Sequence, residues 1–274
     1  NEGRRLFQGK IFCGVIYKNM EEKAIFKKPD IFTRPFAVLI LGFAGGFFDA
    51  YTYVARGKVF CNAQTGNLIL MTIGLAGGEG LNALRYLVPV AFFILANFVG
   101  EAVYRLAKRK ARRKGMPDDT ERFLYHCGIL AAEILLLTVV GGIPVSFPTV
   151  LPNALISSVA ALQYHAFRDM NGVPLSTVFC TNNLRLLSGH LFSAAADKDK
   201  VSLKKAGKYL LLIACFLCGV AAGYFLTDWA MQYAILFISA LFAALLLWVL
   251  AIRRKEARSA LNDKNAEETE KEVL

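Results

Sequence analysis

The chain has 274 residues, of which 55% are apolar and 19% charged, with a mean hydropathy of +0.43. A soluble domain carries about a quarter charged residues; here the charges are bunched, and apolar stretches near the ~20-residue length of a bilayer-spanning helix lie between the bunches. The net charge of +11 does not indicate nucleic acid as a partner, because the basic residues sit in short segments beside apolar spans, with no basic helix face and no reader motif to accompany them.

Residues 1–35 read as an N-terminal cytoplasmic segment. The sequence opens at Asn1, and residues 1–19 contain neither a long apolar run nor a small-residue cleavage site, so no signal peptide is expected there. Met20 begins a Lys-rich stretch that leads into the first span, and residues 1–19 receive no function. The spans expected are 36–55, 86–104, 123–143, 150–167, 209–227 and 229–252. Two further segments, 59–77 and 174–196, are half polar. After Asn67 the apolar run Leu68–Ala76 is nine residues, about 13 Å of helix and roughly half a hydrocarbon core.

The positive-inside rule decides how these two segments run. Residues 105–122 hold eight Lys or Arg, 197–208 hold five, and 253–258 and 23–34 hold four each. Residues 143–154 and 227–231 hold none, and 77–86 hold only Arg85. If all eight segments crossed, the eight-charge loop would face outward. If 59–77 and 174–196 are broken or re-entrant, every basic segment faces the cytoplasm. The expected topology therefore has six crossings with both ends inside. Trp229 and Trp248, 19 residues apart or about 28 Å of helix, are expected to place one ring near each interface of the last span. Ala260–Leu274, rich in Glu, Lys and Asn, reads as a disordered tail after the basic start at 253.

The cysteines at 13, 61, 127, 180, 215 and 218 form no secreted disulfide framework. Cys215-x-x-Cys218 lies mid-span without a basic neighbour to lower a thiol pKa, so it reads as small apolar packing. Gly42-xxx-Gly46 and Gly219-xxx-Gly223 fit close helix packing.

Shifted by 116 residues, the sequence aligns with itself without a gap from 39 to 76. Phe48-Asp49-Ala50-Tyr51 falls on Tyr164-His165-Ala166-Phe167, and Thr65-Gly66-Asn67-Leu68 falls on Thr181-Asn182-Asn183-Leu184. Each half, 36–143 and 150–252, then has three spans and one broken segment. Three is odd, so the halves are expected to be inverted, with a polar site near the midplane where the breaks meet. The fold class expected is an all-α polytopic bundle with an inverted 3+3 repeat.

Gly45-Gly46-Phe47-Phe48-Asp49-Ala50, followed by Phe60 and Gln64-Thr65-Gly66-Asn67, resembles the YoaK-like family of bacterial inner-membrane proteins, a domain of unknown function. The resemblance covers about residues 36–252; the second half departs from it at Thr181-Asn182-Asn183. It implies a multi-span protein of the bacterial inner membrane, hints at transport, and supplies no substrate.

Several residues carry both a functional and a structural reading. Asp49, inside a span, is a proton or cation site, or else a carboxylate that caps a neighbouring broken helix. Thr65, Gly66 and Asn67 offer a hydroxyl, a hinge and an amide at a half-helix start. There they cap the helix and present its N–H groups to an anion, or simply satisfy one another. Thr181 and Asn183 repeat this pattern. His165 titrates near neutral pH or packs as an ordinary core ring. Arg185, if buried, needs Asp49, Glu101 or Glu133 as a partner, and otherwise snorkels. Glu133 is costly mid-span; Glu101 is closer to an interface.

The function expected is that of a secondary transporter or channel for a small solute or ion. The alternative is a membrane scaffold acting through the basic loop Arg105–Lys114, which otherwise fixes topology and touches anionic lipid. No metal-ligand cluster, H-E-x-x-H or catalytic triad stands out, so no enzyme activity, metal or cofactor is expected. The lipid bilayer is the one partner expected; a homo-oligomer is compatible with the sequence.

Overall fold

A computed structural model describes residues 30–273; the readings made on residues 1–19, and on the Lys-rich stretch after Met20 as far as residue 29, lie outside the described residues. The described residues are mostly helical. Helix α1 spans Pro35–Ala55, α2 Gln64–Ala76, α3 Leu87–Arg113, α4 Asp118–Gly141, α5 Val150–Ala166, α6 Cys180–Ala196, α7 Lys200–Ala230 and α8 Ala234–Val273. Short 3-10 segments cover Ile31–Thr33, Gly80–Tyr86 and Met231–Tyr233, and a two-stranded hairpin pairs β1 (Asp169–Met170) with β2 (Val173–Pro174).

Local chemistry sets the boundaries. Pro35, with its fixed φ and no N–H to waste, opens α1. Gly115, at φ +60, ends α3 while the Met116 N–H reaches back to the Ala111 carbonyl, as a left-handed cap residue allows. Asp118, Asp119 and Glu121 fill the first turn of α4, where the helix dipole favours acids. The Asp199 carboxylate accepts the Val201 N–H at 2.8 Å and caps α7.

Among the described residues, four stretches are long and apolar enough to cross a membrane: Pro35–Ala55, Gly80–Arg113, Asp118–Gly141 and Lys200–Ser259. The last holds two helices, because Met231 at φ +51 breaks the chain between α7 and α8. Trp229 therefore ends α7 and Trp248 lies on α8, which corrects the expectation that both belong to one span. α5, at 17 residues, is about 25 Å long, short of a full core. Two other expectations change. The basic segment 105–113 continues α3 as helix, and Ala260–Val273 continues α8 where a disordered tail was expected. Ala, Glu, Lys and Arg are good helix formers, and both stretches follow an already nucleated helix.

Contacts fix the relative directions. Arg34 meets Glu256 at 2.6 Å and Tyr51 meets the Gln232 carbonyl at 3.3 Å, so α1 and α8 are antiparallel. Arg253 meets Asp119 and Ser239 meets Thr138, so α4 and α8 are antiparallel. Asn153 reaches the Arg56 carbonyl and Gln163 the Leu41 carbonyl, so α1 and α5 are antiparallel. α1 and α7 run parallel in close contact: Gly42 faces Leu212, Gly46 faces Phe216, and Gly219 and Gly223 face Phe43 and Phe47. The two Gly-xxx-Gly pairs thus meet each other, and backbone touches backbone. As a result the turn 114–117, the turn 197–199 and Arg253 gather at one end of the bundle with Arg34; 77–86, 142–149 and 231–233 gather at the other.

The core is filled by Leu41, Phe47, Phe48, Tyr51, Leu130, Leu137, Ile156, Ile238 and Phe242. Arg56 is fully buried at the end opposite the basic turns. Its guanidinium donates to the Tyr51 hydroxyl at 2.8 Å, the Ile143 carbonyl at 2.7 Å and the Pro144 carbonyl at 3.1 Å. A buried cation is tolerated only with such partners, and the C-terminal dipole of α4 adds to them.

Candidate functional site

Two returning helices, α2 with 13 residues and α6 with 17, start inside the bundle. Beyond α1, the chain turns at Gly57 and Lys58, both with positive φ, and runs back along the helix it has just left. The Asn62 N–H donates to Asp49 Oδ1 at 2.9 Å, and the Asn62 side chain donates to the Gly45 carbonyl at 2.6 Å. From Arg56 to Gly45 is eleven residues of helix, about 16 Å of descent. α2 starts at that depth and returns. On the other side the chain leaves α5 at Phe167, forms the hairpin, and rises until Thr177 lies against Gly45, where a Cβ on the glycine would strike the Thr177 carbonyl. Gln163 holds the Thr177 hydroxyl at 3.0 Å. α6 then starts and runs back toward the basic end, where His190 stacks on Tyr209 of α7.

Asparagine clasps close both returning loops. The Phe60 N–H donates to Asn67 Oδ1 at 2.9 Å, and Asn67 Nδ2 donates to the Phe60 carbonyl at 2.5 Å. The Ser176 N–H donates to Asn183 Oδ1 at 3.1 Å, and Asn183 Nδ2 donates to the Ser176 carbonyl at 2.7 Å. Phe60 and Ser176 are 116 residues apart, as are Asn67 and Asn183. Each amide supplies one donor and one acceptor to an otherwise unpaired backbone N–H and C=O, which peptide groups shielded from solvent require. Replacing Asn183 with alanine is expected to cost on the order of 2–4 kcal/mol, two buried backbone groups being left unpaired, and replacing Asn67 somewhat less, because its Phe60 partners are only partly buried; both are read as loss of thermal stability in detergent. Asn67→Asp keeps the acceptor and should recover part of the loss.

A cavity of about 920 Å³ lies where α2 and α6 start, with Asp49, Thr65, Thr181 and Arg185 on its wall, and Phe93 and Phe216 among its apolar lining. Asp49 is half-buried; Thr65, Thr181 and Arg185 are exposed to the cavity or the surface. Asp49 and Arg185 form no ion pair, and Arg185 reaches only Asn182 Oδ1 at 3.3 Å. The wall thus offers a carboxylate on α1 and a guanidinium on α6, together with the first turns of two helices, whose leading N–H groups lack intrahelical partners.

The structure corrects several expectations. Neither Thr65 nor Asn67 is the cap of α2: the helix begins at Gln64 after Ala63, with no side-chain cap, and Asn67 is committed to the clasp. Gly66 is not the hinge. It lies inside α2, and a Cβ there would stand 3.2 Å from the Phe60 ring, so its use is to let that ring lie on the helix. His165 is not beside Asp49. Its ring meets Tyr125 Oη at 2.8 Å and Glu101 Oε2 at 3.2 Å, in a smaller polar hollow of about 270 Å³ that Arg122, His126 and Arg168 also line. The reason is local: α5 stops at Ala166, and the loop after it is tied by Ser176 and Gln163, so position 165 has no loop amide to hold. Arg185 pairs with none of Asp49, Glu101 and Glu133, because it is exposed. Glu133 lies in the core of α4, with neither carboxylate oxygen hydrogen-bonded among the described residues; nothing around it explains an ionisable group there.

Beside that hollow, Asp30 accepts from His126 Nδ1 at 2.9 Å. Burial pushes the Asp30 carboxyl up, but the His126 ring, the Phe32 N–H and Arg122 outweigh it and hold the group below the usual carboxylate value.

Asn62, Gln163, Ser176 and Thr177 were missed. The 116-residue offset identified Asn67 and Asn183 as a pair, but their partners are backbone groups, which leave no side-chain pattern to read. Among the described residues, no group of three or more His, Cys, Asp or Glu could hold a metal ion.

A family model described as a protein of unknown function (DUF1275) matches residues 37–248, and the chain belongs to that family. No curated protein and no solved structure matches the chain.

Proposed function

We propose that this DUF1275 chain is a six-crossing secondary transporter or channel for a small solute or ion, built as an inverted repeat and set in the bacterial inner membrane with both ends cytoplasmic. The observation that carries the reading is the cavity where α2 and α6 start. Non-helical backbone at the depth of a bilayer core is tolerated where it is buried in protein or lines a water-filled path, and discontinuous helices meeting at mid-depth are a recurrent way to build a solute site.

The inverted repeat is supported by more than residue identities. α2 and α6 begin 116 residues apart, as do α4 and α8. α1 lies on α7 as α5 lies on α3, and α1 and α5 run in opposite directions. The YoaK-like resemblance of Gly45–Asn67 belongs to the same reading. Asp49 gives a cation or a proton an acceptor, while Arg185 and the helix starts give an anion its donors.

Two measurements test this. Reporter fusions at Gly115 and Asp199 are expected to report the cytoplasm, and one at Phe147 the outside; Gly115 and Asp199 on opposite sides would end the six-crossing model. In proteoliposomes, the purified chain is expected to carry ions or small solutes across the bilayer above the rate of empty vesicles. Intact proteoliposomes with no flux for a panel of protons, monovalent cations, carboxylates and amino acids would favour the scaffold role for Arg105–Lys114.

A further inference from the structure

A second hollow, of about 590 Å³, lies away from α2 and α6, between α3 and α4 at the basic end. Its walls are Val99, Val103 and Ala107 of α3 and Leu124, Ile129 and Ala132 of α4, and at its mouth stand Lys110, Lys114 and Glu121. From Val99 to Ala111 the groove follows about 18 Å of helix, somewhat more than half of a hydrocarbon core and so about the depth of one leaflet. Gly128 lies on its wall, and a Cβ there would meet nothing within 4 Å, so the groove is open at its middle.

The charges at the mouth are unspent. Lys110 and Lys114 are exposed and pair with no carboxylate among the described residues. Glu121 is 9% exposed, and its Oε1 has no hydrogen-bond partner. A buried acceptor left unpaired is costly. One mouth therefore presents two ammonium groups, one turn apart, and a separate carboxylate that lacks a donor.

We propose that this groove is a binding site for a phospholipid of the cytoplasmic leaflet with a primary-amine headgroup, of the phosphatidylethanolamine class. This rests on the membrane reading above but not on transport. The phosphate lies at Lys110 and Lys114, the ammonium donates to the Glu121 carboxylate, and one acyl chain fills the groove. Charge complementarity selects the occupant, because a headgroup bearing both signs answers both unspent charges. Within a bilayer the acyl chain gains little by moving from lipid to protein, so the headgroup decides selectivity. A charge-assisted hydrogen bond from a primary ammonium is one that a quaternary ammonium cannot make.

The test is lipid retention by native mass spectrometry. The full chain is offered equal amounts of phosphatidylethanolamine, phosphatidylglycerol and phosphatidylcholine with the same acyl chains. Phosphatidylethanolamine is expected to be retained about tenfold over phosphatidylcholine, the size of effect one charged hydrogen bond carries. Glu121→Leu should remove that preference, and the Lys110→Gln, Lys114→Gln pair should lower retention of all three lipids. Gly128→Leu, which fills the groove where space is free, should lower retention without touching the headgroup. Equal retention of phosphatidylcholine, a preference for phosphatidylglycerol, or unchanged retention in Gly128→Leu would overturn the proposal. Since flux is not measured, a failed transport assay leaves this result standing.

Discussion

Replacing Gly46 with leucine is expected to abolish accumulation of folded protein, and Gly219→Val should do the same. At both positions the added Cβ would land on backbone of the opposite helix: the Phe216 carbonyl for Gly46, the Phe43 carbonyl for Gly219. Backbone cannot step aside as a side-chain end can. The α1–α7 pair would have to separate along much of its length, losing packing that nothing replaces in lipid, where association rests on close contact and not on water exclusion. Overpacking a single core position costs about 1–3 kcal/mol when side chains can shift, and here the cost is expected to exceed that range. Gly207→Ala, on the same helix α7 with open space at its Cβ, is the control. It should leave yield unchanged or raise thermal stability slightly, since alanine is the better helix former by about 1 kcal/mol. Size-exclusion profiles and melting curves of the detergent-purified variants decide the matter. A monodisperse, wild-type-like Gly46→Leu would show that α1 and α7 are not held by this contact.

The same glycines show what the sequence makes legible. Small residues four apart in apolar helices announce close packing, and the two pairs do meet. The four long apolar stretches were legible because a bilayer demands length and apolarity from contiguous residues; the expected span 150–167 is a helix of 17 residues and is not among them. The half-polar segments 59–77 and 174–196 stood out for failing that demand. The cavity was legible only in part. Thr65 and Thr181 came from the offset, and Asp49 from the expense of a carboxylate mid-span. Asn62 and Ser176 were not, since their contacts are with peptide groups brought close by the fold's return on itself, and Thr177 was not, since its partner Gln163 comes from α5. His165 shows the converse error: an ionisable residue on the offset of another suggests shared work, yet α5 ends at Ala166 and His165 turns to Glu101 and Tyr125 instead. Two side chains can share a sequence offset, but their neighbours are set by where each helix stops.

Asp49→Asn is expected to abolish any proton- or cation-linked flux while the protein still inserts and folds. On the transport proposal the carboxylate has two tasks, and they can be separated. Oδ1 accepts the Asn62 N–H at 2.9 Å and the Cys61 thiol at 3.5 Å, which ties the returning loop to α1; an asparagine carbonyl oxygen can accept the same bonds. What the amide cannot do is carry charge or exchange a proton. Stability should therefore fall by no more than about 1 kcal/mol, the scale on which a hydrogen bond to an ionised group exceeds a neutral one, whereas flux should fall to the level of empty vesicles. Asp49→Ala is the contrasting variant: it removes the acceptor, leaves the Asn62 N–H unpaired, and should lower both stability and flux. The two variants divide the structural reading of Asp49 from the functional one. If Asp49→Asn carries solute as well as the parent chain does while Asp49→Ala is unstable, the carboxylate serves only to hold the loop, and the charge the cavity uses must be sought at Arg185, the other ionised group on its wall.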